Sequence, residues 1–209
     1  ARHADPRNLE YHFFVVNSEV VNAFALPGGY VYVNRGLIEK ARTLSEVAGV
    51  LGHEIGHVVA RHGVEQMQRL QAANLGLGIG YILLGREPTE LERAAIDVGG
   101  GLVFLKFSRD QEREADSLAV EFLVRSGIHP DGLAGMFEIL LQERERRPGL
   151  LEQWFSSHPL TEERIARTRA LVAALPPDRL QGLLRDTETF QRVQARLRSL
   201  PPPPPAERR

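Results

Sequence analysis

The residues best able to do chemistry in this chain are His53, Glu54 and His57, in the stretch Gly52-His53-Glu54-Ile55-Gly56-His57. A helix turns through about 100° per residue, so two histidines four apart project from one face, where two imidazoles can share one metal ion. Glu54 sits beside His53 around the helix, and from there its carboxylate reaches a metal-bound water without being a ligand itself. The spacing supplies two ligands and a base.

A pattern with three fixed positions also arises by chance, and its weight comes from its surroundings. Val47, Val50, Leu51, Ile55, Val58 and Val59 recur at helical spacing, and Thr43-Leu44-Ser45-Glu46 opens the segment as a capping box, with Thr43 as N-cap and Glu46 at N3. A helix from Leu44 to Met67 is predicted. Two histidines and a glutamate on a core-facing helix are costly without a partner, and a metal is the simplest partner.

A second capping box, Ser108-Arg109-Asp110-Gln111, predicts another helix, closed by Gly127 as C′ residue. On it Glu112 and Asp116 are four apart, with the small Ala115 and Ala119 beside them, so two carboxylates rise from a face that other helices can approach closely. Taken alone, a helical Glu and Asp are ordinary solvated charges. Beside a two-histidine helix that needs a third ligand, they become candidates.

The elements that must position these residues read as an α+β chain. Tyr11 to Val16, Val20 to Leu26 and Tyr30 to Val33 are rich in aromatic and β-branched residues, and Pro27-Gly28-Gly29 separates the last two, which predicts a small antiparallel three-strand meander ending in a tight hairpin. Asn22 to Ala25 reads as core strand, with an exposed edge that pairs with an extended peptide as the alternative. A short helix follows over Asn34 to Ala41.

The run Leu75 to Leu84 is apolar and punctuated by Gly76, Gly78 and Gly80. It is shorter than the ~20 residues a bilayer-spanning helix takes, and reads as a core helix, with a lid or a peripheral membrane contact as the alternatives. Pro88 to Phe107 is expected to be an imperfect helix. Asp131 begins a helix to about Arg147, Trp154 to Pro159 reads as a loop, and Pro159 starts a helix through Leu175. Two short basic helices and the extended run Pro201 to Pro205 complete the chain.

Composition excludes several classes. The chain has 209 residues, 43% hydrophobic and 25% charged, with a formal net charge of -1, which suits one domain over residues 1–200 with a proline-rich tail at 201–209 and gives no basic balance for nucleic acid. Cysteine is absent, so only histidine and carboxylate remain as ligands. The sequence starts Ala-Arg-His and shows no signal-peptide core, as expected of a processed or trimmed fragment.

Four motifs together resemble the Ste-type and HtpX-type zinc metallopeptidases, the family of the CAAX prenyl, mitochondrial Oma and periplasmic BepA-like proteases. They are Asn22-Ala23-Phe24-Ala25-Leu26-Pro27-Gly28-Gly29, His53-Glu54-Ile55-Gly56-His57, Ser108-Arg109 with Glu112-Arg113-Glu114-Ala115-Asp116, and His158-Pro159 followed by Arg164. The chain is most similar to the BepA-like branch, whose members carry a helical-repeat region downstream.

The resemblance implies a gluzincin-type fold with its sheet beside the cleft. It implies one zinc held by His53, His57 and Glu112, with Glu54 as general base. Asp116 is then an acceptor that fixes the tautomer of a ligand histidine, namely His53. It also places the His158-Pro159 loop over the site, where His158 either occupies the open zinc position as a latch or donates to the oxyanion, with Arg164 as a further donor.

Extended polypeptides would pair along Asn22, Ala23 and Phe24. The resemblance further implies misfolded or misassembled envelope proteins as substrates, in the bacterial periplasm or at a membrane outside the cytoplasm. The rival reading is a chaperone-like binding protein with structural zinc. A third histidine ten positions after the first would mark a metzincin, but Gly63 stands there. His62, about 180° from His53 on a continuous helix, reads as a surface or packing residue, and His3, His12 and His129 carry no pattern. Glu114 points elsewhere and is not a ligand candidate.

Overall fold

The structure, a computed structural model, describes residues 5, 8–83, 89 and 106–203. Three strands lead: β1 (His12–Val16), β2 (Ala23–Leu26) and β3 (Tyr30–Asn34). The helices follow as α1 (Arg35–Lys40), α2 (Leu44–Val59), α3 (His62–Leu83), α4 (Arg109–Arg125) and α5 (Asp131–Arg146). After a 3-10 turn at Pro148–Leu150 come α6 (Glu152–Ser157), α7 (Glu162–Ala173), α8 (Pro177–Leu180) and α9 (Glu188–Ser199). The α+β architecture is as expected. The predicted helix over Pro88 to Phe107 and the tail beyond residue 203 lie outside the described residues.

The sheet is mixed, and the expected antiparallel meander is corrected. Strand order is β1-β3-β2, with β1 parallel and β2 antiparallel to β3. The connection at residues 17–22 skips the slot beside β1, which β3 then fills. It does so by passing against the start of α1, where Gly36 N donates to Ser18 O at 2.9 Å. A Cβ on Gly36 would lie 2.2 Å from Glu19 O, so only glycine lets the two backbones approach this closely. As a result β2 is an edge strand by its pairing, while Ala23 packs in the core as the core-strand reading expects.

Helix α2 is the centre of the packing, held between α4 and α5 with β2 across it. Its capping box forms as the sequence predicts: Glu46 Oε2 accepts from the Thr43 amide at 3.2 Å. At Gly56 a Cβ would stand 2.9 Å from Ala115 O, so the Gly56 and Ala115 pair lets the histidine helix sit against α4 with almost no side chain between them. Trp154, Phe137, Leu37, Leu133, Met136, Leu140 and Leu151 fill the core around it without exposure. Each such side chain contributes roughly 1.5–3 kcal/mol by leaving water.

The predicted helix from Leu44 to Met67 is in fact two helices. α2 stops at Val59, and Arg61 adopts φ 62°, a left-handed conformation that costs an L-residue roughly 1–2 kcal/mol. α3 then starts at His62 in a new direction. Along α3, Leu75 is 67% exposed, unlike a core residue.

Downstream, two local readings change. The stretch before His158 is the short helix α6, which carries the buried Trp154 inward, and not a loop. α7 begins at Glu162, because the Thr161 side chain accepts from Arg164 N and outcompetes Pro159 as the start. α4 keeps its capping box at Ser108, and Gly127 at φ 73° closes it as expected. α9 lies against α1, where buried Gln194 donates to Ile38 O and Ala41 O at 2.7 Å each.

Candidate active site

α2, α4 and the end of α6 bring His53, His57, Glu112 and His158 together, one potential ligand atom from each lying within 4.8 Å of the others. All four are buried. His53 Nε2 and His57 Nε2 are 3.1 Å apart, and Glu112 Oε1 is 3.3 Å from His57 Nε2 and 2.9 Å from His158 Nδ1. These four sequence candidates therefore meet at one point.

Glu54 stands beside this point. Its Oε2 accepts from the Ala25 amide of β2 at 3.1 Å, while Oε1 is buried without a hydrogen bond, 3.5 Å from His158 Nε2. The free edge of β2 thus faces the base. Asn22 and Ala23 are buried and Phe24 is half-buried, stacked on Tyr32 at 4.9 Å. The amide nearest the base belongs to Ala25, and Asn22 Oδ1 is buried without a partner. A cavity of about 370 Å³ opens beside His57 and Ala25, walled by Leu9, Val58, Val64 and Phe107.

His53 is held by carboxylate and by aromatic packing. Its Nδ1 lies 2.9 Å from Asp116 Oδ1, and its ring meets Phe137 edge-on and Trp154 at 6.4 Å. The contact with His53 is the one expected of Asp116. Arg164 is turned to the cluster: Nε and Nη2 donate to Asp116 at 2.6 and 2.8 Å, Nη2 also lies 3.3 Å from the His53 ring nitrogens, and Nη1 pairs with Glu112 Oε2 and donates to Pro159 O at 3.1 Å. With its nitrogens turned to these partners and its carbon 4.5 Å above the Phe137 ring, the guanidinium braces the two carboxylates.

The electrostatics match a cation site. Burial raises the Glu54 carboxyl above the ordinary range, against the pull of His158 and His53. Burial drives His57 well below the ordinary imidazole value, so it is neutral with a lone pair to give. Burial also works against ionised Glu112 and Asp116, but His158 charge and hydrogen bonds outweigh it at Glu112 and Arg164 outweighs it at Asp116, so both stay low. Burial should lower His158, yet Glu112 and Glu54 hold it up. Two imidazole nitrogens and a carboxylate oxygen facing one another fit a divalent metal ion.

Of the surface and packing readings of His62, packing holds: it is 3% exposed, its Nδ1 is 2.9 Å from His57 Nδ1, and its Nε2 is 3.3 Å from Glu114 Oε2, a contact with a ligand histidine that sequence reasoning missed. On a continuous helix His62 would point away, so only the break at Arg61 reveals it. His12 stacks on Tyr30 and His129 bonds Arg185, both away from the cluster, as the sequence suggested.

This arrangement is that of a metal-dependent hydrolase. The chain belongs to peptidase family M48, whose family model matches residues 1–172. It is 31% identical over 203 residues to the "Beta-barrel assembly-enhancing protease" of Escherichia coli (strain K12), covering 93% of this chain and 40% of that protein. It is 34% identical over 155 residues to "Metalloprotease YcaL" of the same strain, covering 74% of this chain and 59% of the relative. It is 32% identical over 165 residues to the "Mitochondrial metalloendopeptidase OMA1" of Arabidopsis thaliana, covering 78% and 32%. The chain thus spans less than two thirds of the length of each of these relatives. Among the described residues no helix is long and apolar enough to cross a membrane.

Proposed function

We propose that this chain is a zinc-dependent endopeptidase domain over residues 1–200, with a proline-rich tail at 201–209. One zinc ion is held by His53, His57 and Glu112, and Glu54 is the general base. The carrying observation is the convergence of four buried ligand-type residues beside a carboxylate whose Oε1 has no hydrogen bond. Nitrogen and carboxylate donors favour zinc over the oxygen-seeking magnesium and calcium. When bound, zinc supplies a Lewis-acid centre that lowers the pKa of a coordinated water to about 7.

The chain's own residues do the rest. Ala25 N–H fixes one oxygen of Glu54, and the other takes a proton from the attacking water and returns it to the leaving amine. Asp116 orients His53, and Arg164 keeps Asp116 and Glu112 ionised and in place. The edge of β2, from Asn22 through Phe24 to Ala25, pairs with the substrate as an extended strand.

His158 is the resting latch. It stands among the ligand atoms, next to Glu112 and Glu54, where it would help His53, His57 and Glu112 hold the ion in the resting protein. Oxyanion donation by His158 is the other reading, and alanine substitution gives the two opposite signs.

Misfolded or misassembled cell-envelope polypeptides are the proposed substrates, in the bacterial periplasm or at a membrane outside the cytoplasm. The printed name of the beta-barrel assembly-enhancing relative and the motif resemblance support this. The chaperone-like alternative is not favoured by relatives that are named as proteases. The test is casein cleavage by the purified chain with its metal content measured. Hydrolysis that a chelator abolishes and zinc restores is expected; binding of unfolded protein without cleavage at full zinc loading would favour the alternative.

A further inference from the structure

We propose that His62 and Glu114 form an orienting relay that fixes His57 as a metal ligand. The inference rests on the metal-site reading above, and it concerns residues that reading does not use. His57 turns Nε2 to the cluster, 3.1 Å from His53 Nε2 and 3.3 Å from Glu112 Oε1, so Nε2 is the atom that must keep its lone pair. A neutral imidazole has one proton, and here it must sit on Nδ1. Nδ1 lies 2.9 Å from His62 Nδ1, which therefore accepts. His62 then carries its own proton on Nε2 and donates it to Glu114 Oε2 at 3.3 Å. Each hydrogen position follows from the one before.

The opposite order fails at the metal. A proton on His62 Nδ1 would make His57 accept at Nδ1 and carry hydrogen on Nε2, where it cannot ligate. Water is no substitute partner for His57 Nδ1, because His62 itself is 3% exposed and fills that place. Glu114, by contrast, has a side chain 60% exposed and can exchange with solvent. The two ligand histidines are thus held differently: His53 by the Asp116 carboxylate directly, His57 through an intervening imidazole.

The backbone is shaped to allow it. On one continuous helix, residues five apart are separated by about 140° and cannot face one another. The left-handed Arg61 ends α2 and folds the first residue of α3 back over His57. The first turn of α3 is then tied to α4, where Gln111 Nε2 donates to Glu65 Oε2 at 2.9 Å. α4 therefore carries both Glu112 and, through Glu114, the support of His57.

The full chain is compared with His62→Leu, His62→Gln, Glu114→Ala and His57→Ala by zinc affinity in competition with a chromophoric chelator, by the visible spectrum after Co²⁺ substitution, and by thermal unfolding without metal. His62→Leu should weaken zinc binding by about 10- to 100-fold and shift the Co²⁺ spectrum. His62→Gln, whose carboxamide oxygen can accept the Nδ1 proton, should recover most of both, although the two variants unfold alike without metal. Glu114→Ala should cost less than His62→Leu, since water replaces its exposed oxygen. Equal losses in the Leu and Gln variants, or wild-type affinity and spectrum in His62→Leu while His57→Ala loses the metal, would overturn the relay alone. A wild-type chain that binds no zinc would overturn the metal-site reading together with it.

Discussion

The backbone amide of Ala25 donates to the Glu54 carboxylate at 3.1 Å, joining the free edge of a sheet to the charged group of a buried helix. β2 pairs with β3 on its other side, so this amide has no partner in the sheet ladder. One contact therefore sets both where Glu54 points and where an extended peptide would run.

That contact can be removed on its own. Ala25→Pro deletes the donor at an edge position where no ladder hydrogen bond is lost, a place a strand tolerates proline. Turnover is expected to fall about tenfold or more with metal content unchanged, measured as casein hydrolysis and zinc per chain. Full activity in this variant would separate the β2 edge from catalysis.

His158→Ala tests the latch. With the imidazole gone from among the ligand atoms, basal proteolysis should rise while three ligands still hold the metal. A fall of roughly ten- to a thousandfold at full metal loading would assign His158 to the oxyanion instead.

The brace made by Arg164 predicts a pH-dependent stability. Asp116 is held below its ordinary 3.8: burial opposes ionisation, and Arg164 and His53 overcome it. A depressed carboxyl contributes stability that is present above the unfolded value and lost as pH falls through the folded one. Asp116→Asn should therefore cost stability at neutral pH, with the gap from wild type closing below about pH 4. Arg164→Met should cost about 3–5 kcal/mol, because two buried carboxylates lose their counter-charge. Denaturant unfolding of metal-free protein checks both; a gap that widens in acid would contradict the assignment.

What could be read from the sequence was local. The capping boxes at Thr43 and Ser108, the four-residue spacings of His53 with His57 and Glu112 with Asp116, and the Gly127 stop each depend on neighbours within one or two turns. Arg61 carries no such mark: a left-handed arginine leaves a helical pattern unbroken in the sequence, and with the break hidden, His62 seemed to face away. Parallel pairing of β1 with β3 depends on how residues 17–22 pass Gly36, a tertiary contact with no periodicity of its own. α6 is only six residues long, and burial of Trp154 holds it where propensity would not.

The most direct measurement of the central claim is the zinc-to-protein ratio of Glu54→Gln and Glu112→Ala, prepared side by side with their hydrolysis recorded. If Glu54 moves protons without touching the metal, its variant should keep about one zinc per chain and lose at least ~100-fold in rate. Glu112→Ala should lose both the metal and the activity. A metal-free Glu54→Gln, or a Glu112→Ala that retains its zinc, would contradict the assignment of base and ligand.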